Sequence, residues 1–498
     1  LDSPNECWFD RVARKLYVFP NATSASSSGA RGDVAAPPSN DLVAVVLDTL
    51  VSINATMAKP AKGITLQGVG LRDAADVTMK PWGVPSGGDW GLYRGGAVFI
   101  EGCEGCAVKH SLFERIDGNG ILVSGYTRDV VLSDNEFAWI GNSAMAAWGY
   151  TKENDGTGGQ QPRFTTVARN YVREIGLIEK QSSMWFQAKT CESSIEDNVV
   201  FNGPRAAINF NDGFGGGTNT TRNLIFNQCR ESGDHGPINS WDRNAFISDV
   251  YDGTPSYTAK TNSVAKNFII ANYGASRPWK QASLGATRAP LVCPPVPSVR
   301  AHTRTRTLTR THARDLYPGA SQGFDTDDGS SWYDIHDNFF FMADGWKMDY
   351  GGHDSKFTDN IVYHGHNDGQ DCVNSWPFLT GHGVEWRGNK CILPKSTNLA
   401  GTLAGCKCPG TENRGPSWAP GDESPAAECG ITFSANEYYT MNGTAYLNCD
   451  DKPDWGEWTG TLGNDKGSTL SALPSDDDLM KWARAKLDMP AADEPLSS

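Results

Sequence analysis

The phrase Ser133-Asp-Asn-Glu-Phe137 decides the reading of this chain, because it returns. It recurs as Ala168-Arg-Asn-Tyr-Val172, Glu196-Asp-Asn-Val-Val200, Thr221-Arg-Asn-Leu-Ile225, Ala265-Lys-Asn-Phe-Ile269, His336-Asp-Asn-Phe-Phe340, Thr358-Asp-Asn-Ile-Val362 and Ser434-Ala-Asn-Glu-Tyr438. Several intervals are close: 28 residues from Asn170 to Asn198, 25 from there to Asn223, and 22 from Asn338 to Asn360. Imperfect repeats of this period mark a solenoid or array. Each unit holds short β-rich runs and Gly or Asn turns, with no amphipathic helix between them. The expected fold is therefore all-β, a right-handed parallel β-helix. Successive rungs would stack at roughly 4.8 Å. The recurring Asn would pair its amide with the Asn above and below, at equivalent bends.

Working outward, Gly120-Ile-Leu-Val-Ser-Gly-Tyr126 and Ala144-Met-Ala-Ala-Trp-Gly-Tyr150 align as strands, followed by segments beginning at Ser183, Ala207, Pro237, Gly323 and Gly345. A strand alternates faces with period two. The second column of this alignment is Ile121, Met145, Met184, Ile208, Ile238, Phe324 and Trp346, which should point inward. The third column then points outward: Leu122, Ala146, Trp185, Asn209, Asn239, Asp325 and Lys347. The fifth does likewise: Ser124, Trp148, Gln187, Asn211, Trp241, Asp327 and Asp349. Asp212, Asp242 and Asp328 fall at the strand ends.

The outward face is apolar or aromatic early and becomes a field of Asn, Asp and Lys in its middle rungs. In this register Asp327 and Asp349 sit on adjacent rungs, about 5 Å apart. Two carboxylates so close would not both ionise cheaply, so one pKa should rise. Such a pair suits general acid plus base or nucleophile, as in glycoside hydrolysis. Trp148, Trp185 and Trp241 would offer flat faces to sugar rings, beside Asn209, Asn211, Asp212, Asn239, Asp242, Asp325 and Lys347. His235 and His353 would lie at the cleft rim. The catalytic candidates are Asp327, Asp328, Asp349 and His353. The same oxygens could instead bind structural Ca²⁺ or form a solvated edge. No cofactor is required by this reading, Ca²⁺ is the one candidate, and no metal ligand set is assigned.

The 498 residues are 39% hydrophobic and 20% charged, with a net charge of −14. That charge argues against nucleic acid and anionic membrane surfaces as partners. No apolar run is long enough for a transmembrane helix. The 12 Cys, with N-glycosylation triplets at Asn21, Asn54, Asn219 and Asn442, favour an extracellular, disulfide-bearing glycoprotein. A monomer that meets a polysaccharide or other glycan is the expectation. Cys103-x-x-Cys106 and Cys406-x-Cys408 lie too far apart in sequence, without suitable His spacing, for zinc. The chain opens on Leu1, and a processed or partial product is expected.

Three regions are expected. Residues 1–63 hold a β-hairpin (Glu6 to Pro20), a Ser/Ala/Gly/Pro-rich loop and a strand over Leu42–Leu47. Residues 64–446 form the β-helix, interrupted at 284–314 by an Arg/Thr/Pro-rich stretch without acids, read as an irregular insertion. Residues 447–498 carry an acidic tail and a helix from Asp476. Its acids come first and its bases follow, with Leu479, Trp482 and Ala483 on one apolar face.

The rungs, with Asp327-Asp-Gly-Ser-Ser-Trp-Tyr-Asp-Ile-His-Asp-Asn-Phe-Phe340 and Lys347-Met-Asp-Tyr-Gly-Gly-His-Asp354, resemble the right-handed β-helix proteins of the pectin-lyase-like superfamily. The resemblance spans residues 64–446. It implies the fold, and one of several activities: glycoside hydrolysis, polysaccharide elimination, epimerisation or non-catalytic adhesion. Elimination of the pectate type would use Ca²⁺ with an Arg or Lys base, for which Lys347 and Arg243 are the middle-rung candidates. Hydrolysis through paired Asp is the leading expectation. A non-catalytic glycan-binding β-helix and a Ca²⁺-dependent lyase are the alternatives.

Overall fold

The structure is a computed structural model. It describes residues 6–10, 12–19, 45–85, 90–152, 155–211, 216–232, 235–241, 260–270, 323–327, 329–348, 352–364, 372–375, 383–403, 431–447 and 452–490. The chain divides into two units, residues 1–46 with 278–315, and residues 47–277 with 316–498. In the first, Glu6–Asp10 pairs antiparallel with Lys15–Phe19, and the Trp8 and Tyr17 rings stack at 5.3 Å. The Asp10 carboxylate closes the turn by accepting from the backbone N–H of Val12 and Ala13. The expected hairpin is present. The expected insertion at 284–314 lies outside the described residues.

The second unit is a parallel β-helix. Successive coils contribute strands to three sheets, each pairing in parallel with its neighbours in adjacent coils; two short extra strands, Ala61–Lys62 and Pro162–Arg163, join the first sheet. The first sheet runs from Val51–Asn54 to Ala400–Leu403, the second from Thr65–Gln67 to Ile431–Ser434, and the third from Gly70–Ala74 to Thr469–Ala472. The described part of the strand expected over Leu42–Leu47 is not a strand; Leu47 instead gives its carbonyl to Ala75 N–H, and the first sheet begins at Val51.

The repeated phrase follows from the bend between second and third sheets. The residue before each Asn is left-handed: Asp134 (φ 58°), Arg169 (51°), Asp197 (57°), Arg222 (55°), Lys266 (56°), Asp337 (56°), Asp359 (54°) and Ala435 (54°). One such residue turns the chain sharply. Asp, Asn and Gly tolerate that region best. The Arg and Lys here are held by their surroundings; Arg169 and Arg222, for instance, pair with Asp134 and Asp197 of the coil before. The Asn side chain then turns inward. Asn135 Nδ2 donates to Asn170 Oδ1 (3.1 Å), Asn170 to Asn198 (3.0 Å), Asn198 to Asn223 (2.9 Å), and so on through Asn267, Asn338 and Asn360 to Asn389 and Asn436. Each of those Oδ1 atoms also accepts the backbone N–H of the preceding ladder Asn, as at Asn135 and Asn170. The ladder ends on Asp465, whose carboxylate accepts from Asn436 Nδ2 (2.9 Å) and the Tyr438 hydroxyl (2.7 Å). Burial raises the pKa of Asp465.

Two residues after each Asn, the chain points into the core: Phe137, Val172, Val200, Ile225, Ile269, Phe340, Val362 and Tyr438. The second sheet contributes Val108, Leu132, Val167, Ile195, Val264, Ile335, Phe357 and Trp386. Each such side chain contributes about 1.5–3 kcal/mol by leaving water. The core becomes aromatic toward the C-terminus, where Phe357 lies 4.7 Å from Trp386 and 5.6 Å from Trp346. At the entrance to the first sheet the coils touch. A Cβ on Gly345 would lie 1.8 Å from the Cys372 carbonyl oxygen, and one on Gly323 2.1 Å from that of Asp344. That is why small residues lead these strands.

The helix Asp476–Lys486 starts on Ser475, whose side chain accepts from Asp478 N–H. It lies beside the coil rather than across its end. Leu479, Ala483 and Trp482 pack on Phe339, Ile361 and Ile392 of the third sheet's outer face, and Lys486 pairs with Asp337 at 2.7 Å. Disulfides join Cys103 to Cys106 and Cys372 to Cys391. Among the described residues, no helix is long and apolar enough to cross a membrane.

Candidate functional site

The outward face of the first sheet is built by strict parallel register. Ile208, Ile238, Phe324 and Trp346 are Cα partners in succession and point inward. Their successors Asn209, Asn239, Asp325 and Lys347 therefore form one outward column, with Trp241 and Asp327 paired two positions on.

The register expected for the rung at Ser183 is off by one. The Cα partner of Met145 and Ile208 is Trp185, not Met184. Trp185 is thus a core side chain, fully buried, with its indole N–H satisfied by Gln187 Oε1 at 2.8 Å. It offers no face to a sugar. Phe186 and Ala188 take the outward places, and Gln187 turns inward with Ala147 and Phe210.

The early rungs of this face are covered. Trp90 and Leu92, from the segment before the strand Val98–Glu104, pack on Leu122, Ala146, Phe186 and Ala188, with Trp148 at the edge. Arg94 lies 3.7 Å from the Trp148 ring centroid and 4.1 Å from that of Tyr150. Its guanidinium donates to Ser124 Oγ (2.9 Å) and the Trp148 carbonyl (2.8 Å). Trp148 is therefore occupied by an internal cation, not an open sugar platform. Trp241 is also buried.

Where the cover stops, Trp90 meets two polar groups. Arg205 lies 3.7 Å over its ring, and the His235 ring meets it edge-on at 5.8 Å. Arg205 and His235 hold the same place on successive rungs, and Arg205 Nη2 contacts His235 Nε2. Ser232 Oγ bonds His235 Nδ1 at 2.6 Å. Burial pushes the His235 pKa down to about 2, helped by the positive charges of Arg205 and Lys347. His235 is thus a neutral imidazole.

Beyond it lies the polar field. Asn239 Nδ2 donates to Asn209 Oδ1 (3.2 Å), and Asn209 Nδ2 to Asn211 Oδ1 (3.4 Å); all three are buried. Lys347 Nζ stands 3.4 Å from Asp325 Oδ1 and 3.6 Å from Asp327 Oδ1. The two carboxylate oxygens are no farther apart than the sum of those distances. Asp325 is fully buried, whereas the Asp327 side chain is 16% exposed, so Asp327 is the member that solvent or a ligand can reach.

His353 is not at a cleft rim. It is fully buried in the bend leading to the second sheet, with Nδ1 bonded to Asp354 Oδ2 at 2.7 Å and its ring against Trp332. Asp212, Asp242, Arg243, Asp328 and Asp349 lie outside the described residues. Arg205, Trp90 and Arg94 were not anticipated from the sequence. Extending the alignment two residues upstream of Ala207 and Pro237 would have found Arg205 beside His235. Among the described residues no group of His, Cys, Asp and Glu is arranged to hold a metal ion.

The chain matches no family model and no curated protein. Among solved structures, it is similar to a chain titled "Glycoside hydrolase" at 14% identity and a TM-score of 0.44. The match covers 72% of this chain and 57% of that one. The chain thus spans less than two thirds of that protein's length.

Proposed function

We propose that this protein is an extracellular, carbohydrate-active β-helix of the pectin-lyase-like type, acting as a glycoside hydrolase on a poly- or oligosaccharide. The observation that carries the reading is the placing of Asp327, partly exposed, at the end of an ion-paired chain with Lys347 and Asp325 on adjacent rungs of one face. In this reading Asp327 is one of the two carboxyl groups that glycosidic cleavage needs, one protonating the leaving oxygen and the other activating water or attacking directly. Asp325 is too deeply buried to be the other. Asp349, which follows Met348 in sequence, is the proposed partner, and Asp328 is the further candidate. Lys347 holds Asp327 in place, and Asn209 and Asn239 brace the strand face behind. A monomer is proposed.

The alternatives fare differently. An ammonium between two carboxylates already fills the place a Ca²⁺ ion would take there, and an ammonium has no lone pair with which to take a proton. Both points weigh against Ca²⁺-dependent elimination with Lys347 as base. Glycan binding without cleavage is the second reading: with Asp325 fully buried, Asp327 is the one exposed carboxylate of the ion-paired group, one fewer than cleavage needs. Asp327→Asn separates the readings. On a panel of neutral and acidic polysaccharides, cleavage should fall by at least two to three orders of magnitude, with the melting temperature shifted by only a few degrees. Unchanged cleavage would remove Asp327 from the chemistry. Binding without cleavage by the unaltered protein would establish the second reading.

A further inference from the structure

The asparagines of this chain sort into two populations. Those of the ladder are buried, and so are Asn119, Asn142, Asn209, Asn211, Asn239, Asn262 and Asn398. Asn202, Asn227, Asn374 and Asn464 are half-buried. Among the described residues the exposed asparagines are Asn54, Asn219 and Asn442, and each is followed two residues later by threonine: Thr56, Thr221 and Thr444. None of the other described asparagines has Ser or Thr at that position. For the ladder the fold explains this. The residue two after a ladder Asn points into the core and must be apolar, so a ladder Asn cannot begin an Asn-x-Ser/Thr triplet. No such constraint acts on the remaining positions, yet there too the triplet and the exposure coincide.

The local geometry fits a modified side chain at each place. Asn219 projects from the outer face of the second sheet, and its Cα partners on the neighbouring rungs are Ser194 and Ser263, small residues that leave space around it. Asn442 stands on an exposed turn with Gly443 in the left-handed region (φ 67°). Its Oδ1 accepts from the Thr444 hydroxyl at 2.7 Å and the Thr444 N–H at 3.2 Å, bringing the two side chains of the triplet together. Asn54 ends an edge strand of the first sheet, paired with Glu101 on its one neighbouring strand.

We infer that Asn54, Asn219 and Asn442 are attachment sites for N-linked glycans: at each, an N-glycosidic bond forms between Asn Nδ2 and C1 of the reducing-end sugar of a lipid-carried oligosaccharide, the C1–O bond to the lipid pyrophosphate breaks, and the Nδ2 proton is lost to a base of the transferring enzyme. Asn219 lies on the second sheet and Asn442 follows the third-sheet strand Glu437–Thr440, so neither is on the sheet that carries the polar field. Asn54 shares the fifth outward column of the first sheet with Asp327, but Glu101, Ser124, Trp148, Ala188, Asn211 and Trp241 intervene. At the rung spacing that is roughly 34 Å. Bulky, hydrophilic groups on the second sheet and the far end would raise solubility and leave the Asp327 face open. The inference is independent of what that face does.

The test is peptide mass spectrometry of the full-length protein from its natural source, after enzymatic removal of N-glycans in heavy-oxygen water. Asn54, Asn219 and Asn442 should each appear as oxygen-labelled Asp. Unmodified Asn in all three peptides would overturn the inference, as would labelling confined to Asn21. As a second arm, Thr221→Ala and Thr444→Ala in protein secreted from eukaryotic cells should each remove one glycan-sized step in mass. These changes keep the Asn and alter only an exposed or partly exposed hydroxyl, so folding is not at stake. A ladder of masses unchanged by either substitution counts against the sites.

Discussion

The strands around Ile121 and those around Phe324 share a backbone, a register and an inward column, and differ in what they turn outward. Around Ile121 the outward residues are Leu122, Ala146 and Phe186, and the chain has laid Trp90 and Leu92 over them. Around Phe324 they are Asn209, Asn239, Asp325 and Lys347, which bond one another. The coil repeats without regard to the difference, since the inward column and the Asn ladder run through both. In this solenoid the scaffold is specified by one side chain in two, and the alternate ones are free to carry either a lid or a charged site.

The comparison is most easily broken at its two cations. Lys347→Met would remove the ammonium that stands 3.4 Å from the buried Asp325 carboxylate, and removal of one partner of a buried pair costs about 3–5 kcal/mol. Arg94→Met on the covered side loses two ring stackings and its carbonyl bonds, about 2 kcal/mol together. Denaturant melts of both variants should rank them in that order. The reverse order would mean that the lid, not the ion-paired chain, is the stabilising half of the face.

The boundary between the halves has a pH signature. His235 titrates near 6.5 when unfolded and near 2 when folded. Below pH 6.5 the unfolded chain binds a proton that the native one refuses, so stability is lost as pH falls, by about 1.4 kcal/mol per unit. Melting temperatures between pH 7 and 5 should drop in the unaltered protein and drop less in His235→Gln. Equal slopes would mean the imidazole is not held neutral.

A smaller effect of opposite sign belongs to the early coils. Asp117 has its pKa pushed up to about 6 by burial, with Asp76 and Asp73 adding to it. The folded state then holds the extra proton, so stability falls as pH rises from about 3.8 to 6. The side chain is partly solvated, and screening leaves about 1 kcal/mol of the full shift. Asp117→Asn should melt closer to, or above, the unaltered protein at pH 7 than at pH 3.5.

The ladder was legible because its bend makes two demands at once, a left-handed residue and then an inward amide, and both leave letters behind. Asn389 was missed because Gly388 and Lys390 flank it rather than a polar and an apolar residue. Trp185 was misplaced because a slip of one residue exchanges the faces, and Ser182, Ser183 and Met184 give no sign of where the bend ends. The candidate face was half legible. Alternation placed Asn209, Asn239, Asp325, Asp327 and Lys347 on the outward side of the first sheet. It could not find Trp90 or Arg94, which arrive from a segment with no period, and it could not tell that His353 is buried.

The spacing of ladder partners says how much chain a coil needs. Asn338 and Asn360 close a turn at a sequence separation of 22, whereas Asn267 and Asn338 close one at 71. Both make the same Nδ2-to-Oδ1 hydrogen bond, at 3.0 and 2.9 Å. Circumference and contour length are thus decoupled. The ladder acts as a ratchet that resets the phase once per revolution, so segments may be spliced in or out between its teeth without moving the next rung.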